Sequence, residues 1–230
     1  MNGKARPRFK MSDFLAILFV LGLAFFFLAP RTSAAYLAAY GRFPVGLAFL
    51  KFAVLPTFGE MFILRCKTGR YVTREFGLIP RAVVWGLLGV AIYFAFAVFV
   101  MGTEQLLGGV RGGGGPIVLL AAFLASFFMN VTFGPVLMIA HNLADRFIAE
   151  NRGRFPIRDF SASSLLARVD WDMMWNFILK KTIPLFWIPV HTLTFLLPSE
   201  YRILLSAALS VVLGVILSFA GAKSREARAT

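Results

Sequence analysis

The chain has 230 residues, of which 59% are hydrophobic, 15% aromatic and only 15% charged. A soluble domain carries about 25% charged residues and has no core of a size to hide this much apolar surface, so an ordinary soluble domain is excluded. The net charge of +13 would suggest nucleic acid in a soluble protein, but here the basic residues stand between apolar runs. There they set topology and meet the anionic headgroups of a bilayer, and no nucleic-acid partner is expected.

Six runs, 14–30, 43–64, 82–103, 112–144, 182–199 and 203–222, hold no fixed charge except Lys51 and Glu60 in the second. An α-helix needs about 20 apolar residues to cross a hydrocarbon core of roughly 30 Å. The pattern predicts an all-α membrane protein, one domain over 1–230, with a bundle of about six transmembrane helices near 12–30, 43–64, 82–103, 116–144, 182–199 and 203–222. The basic residues alternate between gaps. Lys4, Arg6, Arg8 and Lys10 precede the first run, Arg65, Lys67, Arg70, Arg74 and Arg81 follow the second, seven more lie between Arg146 and Lys181, and Lys223, Arg225 and Arg228 close the chain. The other gaps hold only Arg31, Arg42, Arg111 and Arg202. By the positive-inside rule the rich side is cytoplasmic or its organellar equivalent, both termini face it, and the number of passes is even.

The first run, with its basic flank and the small residues Ser33, Ala34 and Ala35, imitates a secretory signal peptide. Its length and the intervening Pro30-Arg31 favour an uncleaved helix. In the second run, Lys51 and Glu60 fall on opposite faces of a straight helix with Pro56 between them, so they are not expected to pair. Lys51 is expected to snorkel to its interface, and Glu60 to meet Arg65 or Lys67, with a solute-lining role for Glu60 as the alternative. On the third, Ala82, Gly86, Gly89 and Tyr93 form a small-residue packing face. The glycines at 112–115 precede Pro116 without a following Lys-Ser/Thr, which predicts a turn rather than a phosphate loop.

The fourth run carries Ser126, Asn130, Gly134, His141 and Asp145 within an arc of roughly 100°, and Gly134-Pro135 predicts a kink. Leu165, Leu166, Val169, Met173 and Phe177 then recur at helical spacing, predicting a cytoplasmic-side amphipathic helix over about 163–180, capped by Ser163 or Ser164, with Trp171 and Trp175 at headgroup level. The fifth run sets Trp187, His191, Thr194 and Pro198 on one face, and its three prolines predict a broken or re-entrant helix. Polar groups in membrane helices turn away from lipid. Ser126, Asn130, His141, His191, Thr194 and Glu60 are therefore the candidate pore-lining or interior polar residues, with interhelical hydrogen bonding as the plain structural alternative. The last run repeats Ser206, Ser210, Gly214 and Ser218 every fourth residue, a helix-packing face within one subunit or, as the weaker option, between copies in a homo-oligomer. His141 and His191 have no evident third ligand and Cys66 has no partner thiol, so no metal, cofactor or disulfide is expected. No nucleophile with a matched base is visible, and no enzyme is expected.

The segment Trp187, Pro189, His191, Thr194, Phe195, Pro198, Tyr201, Arg202 resembles the signature of the Mpv-seventeen and twenty-two-kilodalton peroxisomal membrane protein family. Asn130-Val131-Thr132-Phe133-Gly134-Pro135 is similar to the family's Gln-x-x-Phe-x-Pro, and Gly59-Glu60 to its Gly-Asp. Pro189 is displaced by one, His191 stands for Gln and Thr194 for Asn, Met129 stands where the family has Asp, and one residue is missing before Pro198. The likeness covers residues 43–222, with the first helix as an addition. It implies a compact helical membrane protein of organelles, or a microbial relative, that forms channels or affects small-solute balance. The expected function is a channel or pore-like protein for small solutes, with a non-conducting scaffold or interaction protein as the alternative. The N-terminal decapeptide lacks the Ser-rich amphipathic pattern of a transit peptide. That favours a prokaryotic cytoplasmic membrane over a mitochondrial inner or peroxisomal one.

Overall fold

The computed structural model describes residues 9–109 and 115–227, residues 215–227 as backbone alone. Lys4, Arg6, Arg8, Arg111, most of the glycine run, Arg228 and the side chain of Ser218 lie outside the described residues. Every described element is helical, the form in which a backbone surrounded by hydrocarbon satisfies its own N–H and C=O groups. The elements are α1 (Met11–Leu28), α2 (Pro30–Arg42), α3 (Pro44–Thr68), α4 (Leu78–Leu106) and α5 (Gly115–Glu150), then a short 3-10 turn Ile157–Asp159, α6 (Ala162–Leu166), α7 (Trp171–Met173), a π-helical stretch Met174–Trp187, α8 (Ile188–Leu196) and α9 (Ser199–Ala227). Four of them, α1, α3, α4 and α5, are long and apolar enough to cross a membrane.

Two expectations are corrected here. The stretch 163–180 is not one amphipathic helix: Ser161, not Ser163 or Ser164, caps α6, which ends at Leu166. A new helix begins where the Asp170 carboxylate accepts from the Met173 N–H at 3.0 Å, satisfying one of the free donors of a first turn. That helix then runs unbroken over 171–196, through both the predicted interfacial segment and most of the fifth run. Pro184 has no N–H and its ring excludes the carbonyl one turn back. The chain answers with 14 residues of π-helix, a wider winding that usually occurs as one turn and often near functional sites. Pro135 likewise does not interrupt α5.

Helices α3, α4, α5, the 171–196 helix and α9 pack each against the next, and α9 closes on α3, forming a ring of five. Glycines set the α3–α4 approach. A Cβ on Gly89 would lie 2.4 Å from Phe52 Cβ, and one on Gly86 2.5 Å from the Phe49 ring, so the predicted face on α4 is an intramolecular contact with α3. On α9, Gly214 meets Ile63 of α3, and Ser206, Ser210 and Gly214 all border the ring's interior. The apolar core lies towards one end of the ring, with Ala48, Phe52, Ile92, Phe96, Ala125 and Phe195 buried together.

Helix α1 lies outside the ring along α3, and none of its residues is buried. It is held at one end by Arg65, whose Nε and Nη2 donate to Asp13 at 2.8 and 2.6 Å, and midway by the Phe19–Phe58 ring contact. At its other end α2 folds over the bundle, where the Tyr36 hydroxyl donates to the Glu200 carbonyl and accepts from Lys51 Nζ at 2.9 Å. Lys51 is 8% exposed, with its Nζ 5.2 and 5.5 Å from the Tyr36 and Tyr40 ring centroids. It does not snorkel out, because α2 brings it a hydroxyl and two aromatic faces.

Candidate functional site

The polar stripes of α5 and of the 171–196 helix face each other. His191 Nδ1 lies 3.1 Å from Asn130 Nδ2, and its Nε2 lies 3.2 Å from Ser206 Oγ on α9. Asn130 Nδ2 also donates to the Ser126 carbonyl at 2.8 Å, and Ser126 Oγ donates to the Ile188 carbonyl at 2.7 Å. Asn130 Oδ1 lies 3.2 Å from the same Nδ1, so Asn130 meets that nitrogen as donor or as acceptor according to the imidazole tautomer, and the Nε2–Ser206 bond takes the complementary direction. Trp187 and His191 stack at 5.0 Å one helical turn apart, and the Phe96 edge meets His191 at 5.4 Å, fixing the imidazole plane.

This network borders a cavity of about 270 Å³ on the axis of the ring. Its walls are mainly apolar, with Asn130, His191, Ser206 and Ser210 along its length and Glu60 and His141 at one end. Trp187 also lines it, and the buried indole N–H has no hydrogen-bond partner among the described residues. Of the other residues singled out in the sequence, Ser126 is buried behind Asn130, and Thr194 is fully buried with its hydroxyl donating back to the Val190 carbonyl. Thr194 lines neither this cavity nor the next.

At the end nearer the basic loops stands a cluster of charged groups. Arg81 Nη1 on α4 donates to Glu60 Oε2 at 2.8 Å and to Asp145 Oδ1 at 2.6 Å. Trp85 Nε1 donates to Glu60 Oε1 at 3.0 Å, and its ring lies 4.2 Å from that of His141. The expected pairing of Glu60 with Arg65 or Lys67 is overturned: Arg65 is directed to Asp13, and α4 delivers Arg81 instead. Close backbone packing holds α4 there. Gly77 and Gly153, both at positive φ, touch each other, and a Cβ on Gly153 would lie 2.0 Å from the Arg74 carbonyl oxygen. Arg81 and Trp85 are the site residues that sequence reasoning missed. Their spacing of four, one turn apart on one helix face, was the available signal, but nothing in it identified Glu60 as the shared partner.

At the opposite end a second cavity of about 180 Å³ lies between α4, α5 and α8, with Glu104 and Arg202 among its walls. Phe96 lines the first cavity and Phe195 the second. These two rings meet edge to face at 4.8 Å, so one aromatic layer divides the two spaces. The chain matches no protein-family model, no curated protein and no solved structure.

Proposed function

We propose that the chain is a six-pass membrane protein that carries small solutes through the axis of the five-helix ring. The observation that supports this most directly is the pair of cavities, about 270 Å³ on the ring axis and about 180 Å³ between α4, α5 and α8, whose walls meet at the Phe96–Phe195 contact. A mostly apolar cavity with a few placed polar groups suits small-molecule binding, and polar side chains within membrane helices commonly mark solute or ion paths. In this reading α1, α3, α4, α5, the 171–196 helix and α9 each cross the bilayer. Residues 157–170 lie on the cytoplasmic face and α2 on the other, and the Phe96–Phe195 layer is the closed gate. The resemblance to the Mpv-seventeen family points the same way: Trp187 and His191 of that motif border the larger cavity, Phe195 and Arg202 the smaller. A prokaryotic cytoplasmic membrane is the proposed location.

The test is flux of a panel of small neutral and ionic solutes into liposomes, normalised to folded protein. His191→Leu removes the polar wall and is expected to reduce flux, whereas His191→Gln keeps a donor and an acceptor and is expected to retain it. Wild-type flux no greater than that of empty liposomes would favour the scaffold reading. Equal flux per folded molecule in all three proteins would remove His191 from the path.

A further inference from the structure

We propose that Glu60, His141 and Asp145 bind one divalent first-row transition ion, of which zinc is the type, at the loop-facing end of the larger cavity. His141 and Asp145 stand four residues apart on α5, so one helical turn brings both to the same face, and α3 supplies Glu60 from across the ring. His141 Nε2 lies 3.3 Å from Glu60 Oε1 and 3.6 Å from Asp145 Oδ2, and the three ligand atoms lie within 4.8 Å of one another. An ion held tetrahedrally at about 2.1 Å from each ligand sets those ligands about 3.4 Å apart.

The hydrogen bonds divide the carboxylates as a metal site requires. Arg81 takes Oε2 of Glu60 and Oδ1 of Asp145, which leaves Oε1 and Oδ2, one oxygen of each, turned to the imidazole. Trp85 donates to Oε1 and holds it in place, and a carboxylate oxygen has a further lone pair to give. His141 Nε2 is buried and has no aligned hydrogen bond to either oxygen. Arg81 balances one of the two carboxylates, and the second is left to a protonated His141 or to an ion. A three-ligand set that includes imidazole suits zinc and its neighbours better than calcium or magnesium, which prefer six or more oxygens. The cavity reaches Glu60 and His141, giving the ion an entry path and a fourth, open position. This site does not depend on solute passage and is tested without flux.

Purified protein in detergent, stripped with chelator and then dialysed against zinc or cobalt, is expected to retain one ion per chain. His141→Ala and Asp145→Asn are expected to weaken binding at least tenfold, and Glu150→Gln, a surface carboxylate elsewhere on α5, to leave it unchanged. Should the variants fail to fold, X-ray absorption at the zinc edge of the wild type decides: one imidazole and two carboxylate oxygens are expected. No retained ion in folded wild-type protein, a spectrum without imidazole, or folded His141→Ala binding as wild type does would overturn the site and leave an ion-pair cluster.

Discussion

His191 ties its own helix to two others because imidazole presents two nitrogens on opposite edges, one for Asn130 of α5 and one for Ser206 of α9. An aliphatic side chain of the same size would leave both partners buried without it, a loss of about 1–3 kcal/mol per unsatisfied group in soluble proteins. Gly89 acts by absence, letting Phe52 of α3 lie against the α4 backbone. Gly89→Ala is expected to force the helices apart and cost about 1–3 kcal/mol, as overpacking does in well-packed cores. Gly102→Ala, on the same helix with nothing within 4 Å of the added carbon, is expected to be neutral or slightly stabilising. Thermal unfolding in detergent compares the two, and equal effects would show that the α3–α4 contact is not tight at Gly89. At this scale the α5 stripe and His191 were legible in the sequence, since spacing alone puts Ser126, Asn130 and His141 on one face. The Glu60–Arg81–His141–Asp145 cluster was not, because its members come from three helices and local periodicity carries no information about which helices adjoin.

Hydrophobic runs located the long helices well, since in each the absence of charge and the length are properties of the segment itself. The 171–196 helix departs from the expected break because prolines are local signals of breakage, while the structure keeps the helix going by changing its winding over Met174–Trp187. Of the residues expected on one amphipathic face, Leu165 and Leu166 belong to α6, Val169 lies between the helices, and Met173 and Phe177, both exposed, belong to the next helix beyond the Asp170 cap. The ends of α3 and α4 test the proposed orientation of these elements. Cys66, the chain's one cysteine, is exposed near the basic end of α3, and Leu106 is exposed at the far end of α4. Under the proposed crossings, Cys66 is expected to react with an impermeant thiol reagent from the cytoplasmic side. In Cys66→Ser/Leu106→Cys the new thiol is expected to react from the other side, and labelling of both from one side would contradict a crossing by α4.

The whole molecule is a ring of five helices with α1 laid against it and α2 folded over one end. Because α9 returns to α3, the ring encloses an axial space that no pair of neighbouring helices would make, and polar groups from four of its helices collect there. The Phe96–Phe195 contact bounds that space, and the smaller cavity lies beyond it between α4, α5 and α8. The central claim, that the two cavities are parts of one path, is tested most directly at the layer between them. Liposome flux per folded molecule is measured for wild type, Phe96→Ala, Phe195→Ala and the double variant, with thermal unfolding as the folding control. Each single substitution is expected to raise the flux of solutes that the wild type carries, and the double variant to raise it further. Folded variants with flux unchanged from the wild type would contradict the account, because opening the layer would then have joined nothing.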